Sequence, residues 1–261
     1  MIKLENVVLA SPEQMKFIVQ GMRNPMNSWE KSDSNCCAGQ EFGQCRTCNH
    51  PNRCMYDGDF YLGPTDHSLM QQLAKAGTDH RKFMQMMPVY VRITAPLYWW
   101  KEFDDTYKFG TVANSCSTMH KIQEKEFTLE DFSCEHLLTG WDGKDVNGVP
   151  INVPGPLEDF EIIINMLNMV RKAYLEIKPY EIMPYRQERR KQLWYNLIQL
   201  LPSSYNQTRN VMMNYEVLAN IYKSFKDHKL DECREFCQWI EELPYSELIT
   251  GGRRMNNYEE S

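Results

Sequence analysis

Five small polar or thiol side chains stand in direct succession at Asn114, Ser115, Cys116, Ser117 and Thr118. A short acidic run and one glycine separate them from two adjacent tryptophans, Trp99 and Trp100. No amphipathic period accounts for such a run. Short hydrogen-bonding groups beside large aromatic plates are what a pocket for a flat heterocycle requires: the plates stack on the ring and the donors orient its edge. A Ser/Thr-rich turn beside a core aromatic pair is the plainer alternative.

A second cluster is built of thiols. Cys36, Cys37, Cys45, Cys48 and Cys54 fall within nineteen residues, with His50 among them. Zinc takes four soft or borderline ligands at tetrahedral angles, and a CxxC turn such as Cys45 to Cys48 presents two sulfurs at the right separation. Cys54 and either Cys36 or Cys37 would complete one structural site, which would order a segment with little apolar content. The second CxxC of the commonest zinc pattern is missing, so a flexible thiol-rich loop and a redox pair stay open. No helix-borne His/Glu set accompanies the thiols, which favours structural over catalytic zinc.

The elements that must position these groups are legible in part. Residues 2–9 read as a strand. Ser11-Pro12-Glu13-Gln14 is a capping box with proline at the first helical position, opening a helix to about residue 23. Residues 24–64 are rich in Asn, Ser, Asp, Gly and Cys and read as a long irregular insertion. A helix from residue 65 stops at Gly77. One or two helical turns follow over residues 79–87, then an alternating β-branched strand over residues 88–94 and a helix over 95–103. Thr128 to Asp131 caps a short helix, and a hairpin is expected around Asn147-Gly148. Thereafter the chain reads as helical over residues 157–177, 184–201, 203–226 and 231–243. The expected class is α+β, a mixed sheet with helices in the first half and a largely helical second half, in one domain over residues 1–261.

Composition narrows the function classes. The 261 residues are ample for a sizeable core. A net charge of −6 argues against a nucleic-acid-binding surface, although Arg186, Arg189, Arg190 and Lys191 form a local basic run. The mean hydropathy is −0.58, no stretch approaches a membrane span, and the first residues lack a basic-then-apolar leader, so a cytoplasmic location is expected. The nine cysteines are then read as reduced.

Two blocks together resemble a known family. The first is Leu69-Met-Gln-Gln-Leu-Ala-Lys-Ala-Gly77, then His80, a strand over residues 89–93 and the Asn114 to Thr118 run. The second is Leu201-Pro202, then Asn214 to Leu218, His228 and Glu232-Cys-Arg234. Their order resembles that of the flavin-dependent thymidylate synthases, over about residues 65–120 and 200–240. The departures are specific. The family signature opens Arg-His-Arg, whereas Asp105-Thr-Tyr-Lys108 stands here and Lys108 alone keeps a positive charge. Its Ser-Arg pair is replaced near Ala95-Pro96, its Gln-Ser-x-Arg end by the Asn114 to Thr118 run, and its Ala-Gln by Lys229-Leu230.

The resemblance implies a flavin, FAD, that is reduced by a nicotinamide cofactor, a folate that supplies a methylene carbon, and dUMP as acceptor. It implies nucleotide contacts at Ser115, Thr118, Lys108 and Arg234, and flavin contacts at His80, Asn214 and His228. Cys116 or Ser117 would lie next to the substrate ring, where a thiol of lowered pKa could attack C6; His120 is the one histidine nearby in sequence. A homo-oligomer, a tetramer in the family, is implied as well. The bland readings are a solvated helix charge for Arg234, an exposed helix position for Asn214 and a surface residue for His80. Three functions therefore compete: a diverged enzyme acting on a pyrimidine nucleotide, a catalytically inactive nucleotide- or protein-binding relative, and a zinc-organised interaction protein. Loss of bidentate arginines at phosphates predicts weak or absent methyl transfer.

Overall fold

The computed structural model describes residues 2–36, 60–106, 110–117, 121–144, 146–180 and 183–252. Its main sheet has four strands: β1 (Lys3–Leu9), β4 (Pro88–Pro96), β8 (Asn206–Asn214) and β5 (Val112–Ser115), in the order β1-β4-β8-β5. Two small ladders accompany it: β2 (Asn35–Cys36) with β3 (Phe60–Tyr61), and β6 (Trp141–Lys144) with β7 (Pro150–Val153), both antiparallel. The long helices are α1 (Pro12–Arg23), α2 (Pro64–Lys75), α3 (Leu97–Thr106), α4 (Pro156–Glu176), α5 (Pro184–Leu200), α6 (Tyr215–Phe225) and α7 (Asp231–Glu242), and α8 (Glu247–Thr250) is a single turn. The class is α+β, as expected.

The chain divides into two compact units. The first comprises residues 1–3, 93–103 and 114–209. Its core joins Phe127, Phe132, Phe160, Ile164, Leu167 and Leu197, and α4 packs along α5. A satellite cluster of Tyr174, Ile177 and Leu193 is covered by the Arg190 guanidinium, 4.1 Å from the Tyr174 ring centroid. Arg190 also donates to the Ile177 carbonyl at 2.9 Å, so one member of the basic run is committed to packing.

The second unit comprises residues 4–92, 104–113 and 210–261. Its buried side chains include Ile18, Met70, Met84, Met213, Leu218 and Phe236. Helix α1 starts at the expected capping box: Gln14 N–H donates to Ser11 Oγ, and Ser11 N–H to Gln14 Oε1. Helix α2 is started from outside, by Asp33, whose carboxylate accepts from Thr65 N–H at 2.8 Å and Asp66 N–H at 3.1 Å. Gly63 is required there, because a Cβ would lie 2.2 Å from the Asp33 carboxyl carbon. Buried Asp66 in turn accepts from Arg23, Ser32 Oγ and Ser34 Oγ, pinning part of the residue 24–64 insertion to α2.

Strands β2, β3 and β5 were not among the expected elements, and one expected helix is different. Residues 203–226 were expected to form one helix, but residues 206–214 are the strand β8, and only Tyr215–Phe225 is helical. Gln207, Val211 and Met213 are buried while Thr208, Asn210 and Met212 are not, which is strand alternation. Pairing with β4 and β5 overrides a local composition that suits either state. Asn214 ends the strand and caps α6, its Oδ1 accepting from Val217 N–H at 2.9 Å.

Candidate functional site

In the first unit, Ser115 closes β5, and Ser115, Cys116 and Ser117 are all exposed. Cys116 is a free thiol held by its backbone: its N–H donates to the Thr208 carbonyl at 2.9 Å, and its carbonyl accepts from Gln207 Nε2 at 3.1 Å. Arg209 Nε donates to Gln207 Oε1 at 2.9 Å, and the guanidinium lies 4.1 Å from the Trp100 ring centroid. Trp100 Nε1 donates to the Gln207 carbonyl at 2.9 Å. A short chain of contacts therefore runs from Trp100 through Arg209 and Gln207 to the backbone of Cys116.

The expectation that Trp99 and Trp100 serve as stacking plates of a pocket is corrected. They are 0% and 1% exposed, and both pack with Phe103: Trp99 stacks on it at 5.1 Å and Trp100 meets it edge-on at 5.6 Å. Burying two indoles gains more than a stacking surface held open to water. Arg209 is the cation that the sequence reading missed, because it lay inside a presumed helix, and only the pairing of β8 with β4 and β5 reveals the strand. Lys108, Thr118 and His120 lie outside the described residues.

In the second unit, His228 and Arg234 come together. Arg234 Nη1 donates to the carbonyls of His228 at 2.7 Å and Lys229 at 3.1 Å, and Nη2 pairs with Asp231. His228 Nδ1 accepts from Leu230 N–H at 3.2 Å, which places the proton of the neutral ring on Nε2. The guanidinium is engaged in shaping this turn. His80 is exposed, in the turn after Gly77, whose φ of +104° is the helix stop expected there.

The same unit contains a cleft of about 450 Å³ between α2, α6 and α8. Lys75, Lys223 and Lys226 project at it, and Asn220 and the Gly251-Gly252 backbone complete the polar wall. Lys226 lies 3.9 Å from Asp227. Lys75 and Lys223 have no ion-pair partner among the described residues. Arg81 is instead paired at two points with Glu216, Nη2 to Oε1 at 2.8 Å and Nε to Oε2 at 2.7 Å. The Tyr222 phenol donates to Glu241 at 2.6 Å; that bond, with burial, pushes its pKa up to about 12 and keeps it a donor. Two blocks of the sequence resemblance, Leu69 to Gly77 and Asn214 to Leu218, thus belong to the segments that wall or open this cleft. Concentrated ammonium groups on a concave surface suit a phosphate.

Of the thiols expected to bind zinc, Cys36 is described only in its backbone, within β2, and Cys45, Cys48 and Cys54 lie outside the described residues. Among the described residues no group of three His, Cys, Asp or Glu side chains is placed to hold a metal, and no helix is long and apolar enough to cross a membrane.

No family model and no curated protein matches the sequence. The fold does have relatives. Thymidylate synthase X of Helicobacter pylori, solved with FAD and dUMP, is similar with a TM-score of 0.54 and 14% identity, over 95% of this chain and 96% of that one. A second structure of that flavin-dependent enzyme with FAD and dUMP gives 0.53 at 14% identity, over 95% of each chain. A UMP/dUMP methylase, PolB of Streptomyces cacaoi, bound with 5-Br UMP, gives 0.45 at 13% identity, over 96% and 94%. The chain has the fold of a flavin-dependent thymidylate synthase.

Proposed function

We propose that the protein binds a pyrimidine nucleotide of the dUMP kind, together with FAD, and that its methyl transfer to the ring is weak or absent. The observation that carries this reading is the cleft walled by α2 and α6, with Lys75, Lys223 and Lys226 at its rim and the fold of a dUMP-binding enzyme around it. Three ammonium groups and the Asn220 amide fit a phosphate or diphosphate, so these residues would hold the anionic part of either ligand. FAD, when bound, supplies hydride to a carbon acceptor. Asn214 through its Nδ2, His228 through its Nε2–H and the exposed His80 ring are the proposed flavin contacts.

The second reading, carried by the resemblance, takes Cys116 and Ser117 as the catalytic pair and Ser115, Thr118, Lys108 and Arg234 as the substrate contacts. The weak chemistry follows from the missing Arg-His-Arg signature, since preorganised donors at developing charge are typically worth about 2.7–4 kcal/mol each. The test has three readouts: flavin absorbance of the purified protein, a thermal shift with dUMP, and tritium release from labelled dUMP. Colour and a shift with little release are expected; a colourless protein that dUMP does not stabilise refutes the reading.

A homo-oligomer is proposed as well. Ile162, Met166 and Met169 form an exposed stripe on α4 at helical spacing, with Met169 71% exposed. Light scattering that reads a monomer, unchanged by Met169→Glu, refutes it. One structural zinc on Cys36, Cys45, Cys48 and Cys54 is proposed from their spacing alone, and metal analysis showing none refutes that. A cytoplasmic location is proposed from composition, and fractionation tests it.

A further inference from the structure

In the first unit, the β6–β7 hairpin is an arm with a fixed base. Gly140 N–H and Gly155 N–H both donate to Glu158 Oε2, at 3.3 and 2.9 Å, in the first turn of α4. Leu157 N–H donates to the Leu138 carbonyl at 3.1 Å. Gly155 is required there, because a Cβ would lie 2.1 Å from the Gly140 nitrogen. Beyond this base, β6 and β7 pack chiefly on one another. A two-stranded ladder is marginal in water unless something covers one of its faces. The apolar residues of the arm instead stand at the surface. Val146, in the turn, is fully exposed, Val149 is 54% exposed and Ile151 43%. Ile151 pairs with Gly143, which brings no side chain to shield it. The same unit carries the exposed stripe of Ile162, Met166 and Met169 on α4. Both surfaces are open to water in one chain, so the arm does not cover its own α4.

We propose that the two surfaces meet between copies: the β6–β7 arm of one chain lies on the α4 stripe of a second copy, and a two-fold axis repeats the exchange. The inference rests on the homo-oligomer reading above and adds the arm as the part that covers α4. The area is sufficient. The six side chains, each more than a third exposed, offer on the order of 600 Å² per copy, and the two-fold axis doubles this to about 1,200 Å², where stable interfaces begin. The charges agree as well. Lys144 is exposed at the end of β6, and the exposed Asp159 and Glu161 flank Ile162 on α4. An arm laid over the first half of a partner's α4 brings an ammonium group towards two carboxylates. A second copy thus supplies both halves of the contact, and the symmetry buries each of them twice.

The experiment uses the full chain and has two arms. Sedimentation is followed against concentration for the wild type, Val146→Asp and Met169→Glu. A benzophenone amino acid replaces Val146 in a mixture of isotope-labelled and unlabelled chains, and the photo-crosslinked peptides are mapped by mass. The wild type should self-associate, and each substitution should weaken association at least about tenfold, the scale of one interface anchor. Both variants change exposed side chains, so their circular dichroism should match that of the wild type. The crosslinks should join position 146 of a labelled chain to residues 156–176 of an unlabelled one. An oligomer that Met169→Glu weakens and Val146→Asp leaves intact overturns the arm and leaves the homo-oligomer reading standing. Crosslinks that stay within one chain, or that reach another surface of the partner, do the same. A wild type that stays monomeric at every concentration overturns both.

Discussion

Arg209 lies over the face of Trp100, its guanidinium carbon 4.1 Å from the ring centroid, while its Nε donates to Gln207 Oε1. The contact fixes a cation on the strand that also holds the backbone of Cys116. Arg209→Ala should cost about 0.5–2 kcal/mol, the range of a cation–π contact, read by urea unfolding. It should also loosen the Gln207 bond to Cys116 and change the rate at which iodoacetamide modifies that thiol. Peptide mapping should show Cys116 modified well before Cys237, whose pKa burial pushes up to about 12. A variant with unchanged stability and unchanged Cys116 labelling would remove Arg209 from the account.

Arg81 and Glu216 are each largely buried and hold one another at two points. Removing one partner leaves a charge in a poorly solvated place, so Glu216→Ala should cost about 3 kcal/mol. Replacing both, as Arg81→Met with Glu216→Leu, should recover most of that loss. A single variant as stable as wild type would mean that water already reaches the pair.

Asp33 gives α2 a pH dependence. Burial works to raise its pKa, but the backbone N–H groups of Thr65 and Asp66 outweigh it, and the carboxyl sits below its ordinary value of 3.8. A lowered folded-state pKa contributes stability that is present above 3.8 and lost as pH falls through the folded value. Asp33→Asn, which keeps an acceptor and removes the charge, should cost about 0.3–1 kcal/mol at pH 7, the scale of a charge at a helix N-terminus. The wild type and the variant should converge in strongly acidic solution. Parallel unfolding curves from pH 7 down to pH 2 would show that Asp33 is not the group responsible.

Local signals made several elements legible. The Ser11 to Gln14 capping box, the stop at Gly77 and the hairpin at Gly148, whose φ is +81°, all depend on residues within a few positions of one another. Strand β8 was not legible, because Gln207 to Met213 takes its conformation from β4 and β5, distant in sequence. The cleft was missed for a related reason. Lys75, Lys223 and Glu247 are unremarkable where they stand, and only the packing of α2, α6 and α8 gathers them. The tryptophan pair was conspicuous, yet its size made it core. Asn214 and His228 did fall in segments that the resemblance singled out, but each has local work as well, a helix cap and a turn.

The central claim is that the lysine-rimmed cleft binds a nucleotide. It is tested most directly by following thermal stability against dUMP concentration for the wild type and for Lys75→Ala/Lys223→Ala/Lys226→Ala. The wild type should gain about 2.7 kcal/mol when dUMP reaches a hundredfold excess over its Kd, and the gain should shrink as salt is raised. The triple variant should fold and show little gain over the same concentrations. A wild type that dUMP does not stabilise, or a triple variant stabilised as much as the wild type, would contradict the account.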